Sequence, residues 1–411
     1  MPAASISNGH TGPLINASKG AANRYIGLMS ACGIDADTTS VARATMGREL
    51  HVVEFWMPGG CNLRCTHCYV ASWAQSAPLL EHEFAGLTSR MVHWGLKDVV
   101  VPGMEPLLRD ETWHVVRAAA AAGARSIGIT TNATLLKRRL SRVVESALTV
   151  LNVSLDGPEK IHNQIRGKGV YKIAMSGVEA LVKASTMRVI SNSTLNRHNR
   201  GSLPEIAKIA YDYGLTFAAF HPFERSAEID NQQELSASET VDEFESIRSA
   251  FDKGNTGSVV LEVEASRLDV LLEMNDRNWF ADMDLLADET GFLFFASRRE
   301  CNVLLVNLMA YPHHFIRTLR VADDGGLSSC RSMAKSQWAG LGDLRKQATA
   351  DLLGSPECAR ALGNLWREFQ VALIRSGPKS LERFLAIVAA KANGYIEPSR
   401  MPSSVGEFDH A

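Results

Sequence analysis

From Val52 onward, short apolar runs alternate with longer segments whose apolar residues recur at helical spacing. Val52–Trp56 reads as a strand, and so do Asp98–Val101, Ser126–Thr130, Val150–Leu155, Arg188–Ser193 and Thr216–Phe220. Thr112–Ala122, Leu135–Ala147, Tyr171–Ser185 and Leu203–Tyr213 read as helices. Gly123 closes the first of these helices, and Asp156-Gly157-Pro158 turns the chain after the fourth strand. Strands alternating with helices imply parallel pairing and right-handed crossovers. The fold class is α/β, either a doubly wound open sheet or a curved partial barrel. In both, the chemistry belongs at the C-terminal ends of the strands.

The alternation is expected to stop after Glu224. Ser236–Ala250 reads as helix and Val259–Glu264 as strand. Cys301–Cys330 looks β-rich, with Asp323-Asp324-Gly325-Gly326 as a hairpin turn. Cys358–Ile374 and Leu381–Lys391 read as helices. The expected organisation is an extension over 1–48, the α/β unit over 49–225, and a linker with a helix and a strand over 226–300. A C-terminal α+β module over 301–396 and a tail over 397–411 complete it.

Composition narrows the classes. The 411 residues carry a formal net charge of −2, which does not suggest a nucleic-acid surface. Met1–His10 lacks a basic stretch leading into an apolar core, and no apolar run is long enough to span a bilayer. A cytoplasmic chain with no membrane partner is expected. Thiols there stay reduced, which favours metal or redox roles for clustered cysteines.

Three of the seven cysteines fall in Gly59-Gly60-Cys61-Asn62-Leu63-Arg64-Cys65-Thr66-His67-Cys68-Tyr69. The spacing is C-x3-C-x2-C, placed directly after the first strand. Three thiolates so close can hold one face of an iron–sulfur cluster, which normally takes four cysteines. One iron then keeps an open position, the mark of a catalytic rather than a closed structural site. A zinc site would need His67 as fourth ligand, and its place between Cys65 and Cys68 makes that reach poor. Disulfides would leave one of the three thiols unpaired.

The triplet, with Tyr69 after it, resembles the signature of the radical SAM superfamily. That resemblance implies a partial (β/α)6 barrel, a [4Fe–4S] cluster on Cys61, Cys65 and Cys68, and S-adenosylmethionine chelated to the open iron. An electron from the cluster would cleave the sulfonium to a 5′-deoxyadenosyl radical. A flavodoxin or ferredoxin would supply that electron.

Later segments resemble landmarks of the same family. Pro102-Gly103-Met104-Glu105-Pro106 stands where the family has Gly-Gly-Glu-Pro, with Met104 replacing the second glycine; Gly103 and Glu105 would receive the cofactor's amino group. Thr130-Thr131-Asn132-Ala133 resembles the Thr-Asn-Gly segment, and Asn132 serves either the cofactor or the next helix as a cap. Asn152–Pro158 with His162–Gly167 resembles the fourth-strand segment of the SPASM/twitch branch. By that resemblance Ser154 and Arg166 bind the cofactor's carboxylate, a role that suits a planar guanidinium. Asp156 takes a ribose hydroxyl or starts the turn. Ser193, in Ser191–Asn196, is a ribose contact or a helix cap. His221, Glu224 and Arg225 after the sixth strand are candidate substrate contacts or a mutual salt bridge.

Cys301, Cys330 and Cys358 are ambiguous. Leu319–Cys330 resembles a SPASM or twitch hairpin, followed by Gly340–Leu344. The three cysteines would ligate a second, auxiliary [4Fe–4S] cluster, donate a hydrogen atom to a substrate radical, or pack as small buried hydrophobes. The expected activity is hydrogen abstraction from a small polar metabolite of sugar, aminocyclitol or nucleoside type in natural-product biosynthesis. Oxidation, epimerisation or rearrangement would follow. The alternatives are a SPASM-type maturase modifying a ribosomal peptide or protein, and an iron–sulfur scaffold or sensor.

Overall fold

Val53, Phe55, Val99, Val101, Ile127, Ile129, Leu151 and Val153 are buried and belong to one core. They are the alternate positions of four short strands, so each strand buries one face beneath the helices. The computed structural model describes residues 15–17, 19–23, 52–56, 60–68, 82–83, 86, 98–223, 231–263, 267–287, 293–307, 318–322, 326–329, 339–343 and 378–393. Cys32, Tyr69, Glu224, Arg225, Cys330 and Cys358, the helix expected over 358–374 and the tail lie outside them.

The strands are β1 (Ile15–Asn16), β2 (Val52–Trp56), β3 (Asp98–Val101), β4 (Ser126–Thr131), β5 (Val150–Ser154), β6 (Arg188–Leu195) and β7 (Phe217–Pro222). They continue as β8 (Val259–Glu262), β9 (Asp284–Ala287), β10 (Leu293–Arg299), β11 (Asn302–Asn307), β12 (Thr318–Ala322), β13 (Gly326–Ser329) and β14 (Ala339–Asp343). The helices are α1 (Glu111–Ala121), α2 (Leu140–Val144), α3 (Glu159–Arg166), α4 (Val170–Ala184), α5 (Leu203–Asp212), α6 (Ala237–Asp252), α7 (Leu268–Asp276) and α8 (Pro378–Asn393).

The fourteen strands among the described residues form one sheet, ordered β1-β9-β10-β11-β8-β7-β6-β5-β4-β3-β2-β12-β13-β14. Strands β2 to β7 pair in sequence order and in parallel, giving the curled half-barrel of an α/β fold. The alternation does not stop at Glu224: α6 leads into β8, which pairs in parallel with β7. A capping box closes the start of α6, with Ser236 and Glu239 each taking the other's backbone N–H. Antiparallel β11–β10–β9–β1 extend that edge beyond β8. At the other edge β12 runs parallel to β2, and β13 folds back on it as the expected hairpin.

The register decides which side chains share a face. Pairing of Ser154 with Asn192 and of Thr194 with His221 places Asn152, Ser154, Asn192, Thr194 and His221 on one face of β5–β7. Ser154, Asn192, Thr194 and His221 are partly exposed, whereas Val153, Ser191, Ser193 and Phe220 on the opposite face are buried. The open face is therefore polar and the covered face largely apolar.

Two helices differ from expectation. The segment after β4 is helical only over Leu140–Val144, not from Leu135. The chain leaves β4 through Ala133 at φ +58, with Thr131 Oγ1 accepting from Ala133 N, and turns before it coils. Helix α3 was not foreseen. Its signals are Pro158 before the first turn, Glu159 within it, and Gly167 after the last residue at φ +122.

Candidate active site

The cysteine loop leaves the C-terminal end of β2, where the strand ends of β3, β4 and β5 also converge. Thr66 N donates to Ile165 O of α3 at 3.0 Å, and Gln233 Nε2 donates to Thr66 O at 3.1 Å. Cys68 N donates to Cys65 O at 3.2 Å, closing the loop on itself. Cys61, Cys65 and Cys68 are free thiols, each half-buried. Burial pushes the Cys65 thiol up to about 11; Arg166 opposes this, while Cys68, Asp156 and Cys61 add to it. Burial also pushes Cys61 up. Cys61 and Cys65, each made costlier to ionise by burial and by neighbouring thiols, need a positive centre beside them to be thiolates together.

The strand ends tie this loop down. Asn132 Nδ2 lies 3.6 Å from Cys61 Sγ and donates to Asn62 Oδ1 at 2.9 Å. Its Oδ1 accepts from Thr134 N at 2.9 Å, so Asn132 makes a local turn and does not cap α2. Glu105 is fully buried. Its Oε1 accepts from Thr131 Oγ1 at 2.6 Å and Leu107 N at 3.1 Å, and its Oε2 from Asn132 N at 2.8 Å. Burial raises its carboxyl pKa, against these three hydrogen bonds and Arg166. Glu105 thus fixes the loop after β3 to the end of β4.

Both departures from the glycine pattern carry positive φ: Met104 at +54 and Ala133 at +58. Glycine reaches that backbone region without strain, which accounts for its place in the pattern. Gly103 answers a different demand. A Cβ there would lie 2.4 Å from Trp56 Cε3.

On the far side, Arg166 in the last turn of α3 reaches back over the site. Its Nε donates to Asp156 Oδ2 at 2.5 Å, and a guanidinium nitrogen lies 4.0 Å from Cys65 Sγ. Burial would raise the Asp156 pKa, but Arg166, His67 and His162 together hold that carboxyl well below the usual range. Asp156 Oδ1 accepts from Thr194 N at 3.2 Å, and His67 Nε2 lies 3.6 Å from Oδ2. His67 thus stands beside Asp156. Burial lowers its pKa to about 4, so it is neutral near pH 7. Among the described residues no three His, Cys, Asp or Glu side chains close on a single ion, as a zinc site would require.

Some expected contacts are supports instead. Asp156 is fully buried behind Arg166 and does not present a free carboxylate for a ribose. Ser193 lies on the covered face, where its hydroxyl donates to Leu155 O. Ser154 and Arg166 remain partly exposed toward the open side. Cys301 does not join the site. It sits exposed in the turn before β11, at the N-terminal end of the parallel β7–β8–β11 set, opposite the end that carries Cys61. A strand of five or six residues separates those ends by about 17–20 Å.

Sequence reasoning missed a buried trio beside the site. Arg320 Nε donates to Glu54 Oε2 at 2.6 Å, Trp56 Nε1 donates to the same oxygen at 3.0 Å, and the guanidinium lies over the Trp56 ring at 5.3 Å. The available signal was Glu54, a charged residue in an otherwise apolar strand.

Residues 57–210 match the model of the radical SAM superfamily. The chain carries a radical SAM domain. That superfamily uses a [4Fe–4S] cluster and S-adenosylmethionine, and the residues here fit both. Three free thiols share one loop, and the Arg166 guanidinium reaches to 4.0 Å from Cys65 Sγ. Over 184 residues the chain is 29% identical to the pre-heme d1 synthase of Dinoroseobacter shibae, across 42% of this chain and 43% of that one. It is 28% identical to the GTP 3′,8-cyclase of Chlorobaculum tepidum, across 43% and 56%. The chain spans about half the length of these curated relatives. The fold is similar to that of SuiB from Streptococcus suis bound to S-adenosylmethionine, with TM-score 0.57 and 11% identity over 75% of this chain and 66% of that one. It is also similar to native anSMEcpe with bound AdoMet, with TM-score 0.54 and 14% identity over 84% and 100%. Among the described residues no helix is long and apolar enough to cross a membrane.

Proposed function

We propose that this protein is a radical SAM enzyme that removes a hydrogen atom from a C–H bond of a small polar metabolite, of sugar, aminocyclitol or nucleoside type. Cys61, Cys65 and Cys68 hold the cluster, and the two cofactors when bound supply one-electron cleavage of a sulfonium and a carbon radical. Arg166, oriented by Asp156, pairs with the methionyl carboxylate together with Ser154. The Gly103–Glu105 loop receives the methionyl ammonium. Asn132 holds Cys61 and its loop against the end of β4. The observation that carries this reading is the convergence of Cys61, Asn132, Cys65 and Arg166 at one end of the parallel strands.

A metabolite is favoured by the open face of β5–β7, where Asn192, Thr194 and His221 offer neutral hydrogen-bonding groups. His221 Nε2 is 2.8 Å from Thr194 Oγ1, and burial lowers its pKa to about 4, so it presents a neutral imidazole. Peptide modification is the second reading. It is supported by the fold's likeness to SuiB bound to its precursor peptide SuiA, with TM-score 0.58 at 11% identity over 75% of this chain. Deuterated candidates of both kinds separate them. Label passing from a metabolite into 5′-deoxyadenosine supports the first reading. Label passing only from a peptide replaces it with the second.

A further inference from the structure

The C-terminal hairpin reaches the cofactor site through an unbroken line of buried contacts. Arg320 lies on β12, which pairs in parallel with β2 so that Arg320 stands beside Glu54 and Ala322 beside Trp56. Arg320 is 1% exposed and Glu54 4%. Trp56 is the last residue of β2 before the cysteine loop. Its indole N–H and the Arg320 guanidinium converge on the same Glu54 oxygen, which fixes the ring about its side-chain torsions. The six-membered edge of that ring lies against Gly103, where a Cβ would come within 2.4 Å. Gly103 opens the segment whose next residue, Met104, holds φ +54 and whose Glu105 is tied to Thr131 and Asn132. Asn132 in turn touches Cys61. A contact that leaves no room for a methyl group transmits small displacements of the ring directly to the loop.

We propose that Arg320 is a positioning residue for the S-adenosylmethionine site: through Glu54 and Trp56 it sets the height of the Gly103–Glu105 loop, so that docking of the C-terminal hairpin completes the cofactor site. This rests on the reading that the loop receives the methionyl ammonium. The residue acts from a strand added outside the half-barrel, beyond the matched domain residues 57–210. On this account the domain alone is an incomplete binder of its cofactor.

The test uses the full chain, reconstituted with iron and sulfide without oxygen. Three variants are compared with wild type: Arg320→Lys, the pair Glu54→Gln/Arg320→Met, and Trp56→Phe. The pair removes both buried charges together, which avoids an unpaired carboxylate. Trp56→Phe removes only the indole N–H and the outer ring. Equilibrium dialysis of radiolabelled S-adenosylmethionine gives Kd, iron analysis gives cluster content, and circular dichroism gives Tm. Trp56→Phe and the paired variant are expected to weaken S-adenosylmethionine about tenfold, with Arg320→Lys intermediate, while iron per chain stays at the wild-type value. An unchanged Kd in Trp56→Phe overturns the proposal. So does a loss of iron in step with the loss of binding, which would make the trio a support of the fold alone. Failure of wild type itself to bind S-adenosylmethionine strikes the reading of the site, not the relay.

Discussion

Asp156 and Arg166 show how one residue's chemistry depends on its neighbours' placement. A buried carboxylate is costly unless paired, and Asp156 is held by the Arg166 guanidinium and the Thr194 backbone N–H. His162, fully buried beside it, accepts the Asp156 backbone N–H through Nδ1, and burial lowers its pKa from 6.5 to about 4. Between those values the unfolded chain binds a proton that the folded chain refuses. The stability from neutral His162 is therefore complete above pH 6.5 and lost as pH falls toward 4. Denaturant midpoints across that range should fall with pH, and His162→Gln, which keeps an acceptor, should flatten the slope; an unchanged slope would contradict the assignment. Met104 and Ala133 carry strain that glycine would not. Ala133→Gly is expected to change stability by less than about 1 kcal/mol in urea titrations, because relief of the left-handed penalty is offset by the lost burial of its methyl and by glycine's greater unfolded freedom. That the cysteine triplet follows the first strand and closes into a tight loop was legible because its spacing is local. The buried roles of Asp156 and Ser193 were not, because a side chain's neighbours across strands leave no mark on its own sequence.

At the scale of elements, the parallel strands β2 to β7 were readable nearly residue by residue, since each is a short apolar or β-branched run closed by Gly, Pro, Asn or Asp. Helix α3 escaped because its eight residues carry only two buried side chains, His162 and Ile165, too few to show a period. The union of β12 with β2 was also invisible, being a backbone pairing across more than two hundred and fifty residues that a buried ion pair reinforces. That pair gives the element its sharpest test. Arg320→Met alone leaves Glu54 charged and buried, and is expected to cost about 3–5 kcal/mol in unfolding free energy. Adding Glu54→Gln should restore most of that loss. Equal destabilisation by the single and the paired variants would show that packing, not charge, joins the hairpin to the barrel.

For the whole molecule, one sheet carries the radical SAM half-barrel and an extension at each edge, so the chemistry at the strand ends is framed by both. Cys301, Cys330 and Cys358 are three later thiols, fewer than the four that a second cluster normally takes. Iron content after anaerobic reconstitution is accordingly expected near four atoms per chain; about eight would establish an auxiliary cluster. The most direct trial of the central claim is the yield of 5′-deoxyadenosine from S-adenosylmethionine under strong reductant, compared between the reconstituted protein and Cys65→Ala. The wild-type chain should form it and the variant should form none while keeping its circular dichroism spectrum. Equal yields from both, or none from iron-loaded wild type, would contradict the assignment of Cys61, Cys65 and Cys68.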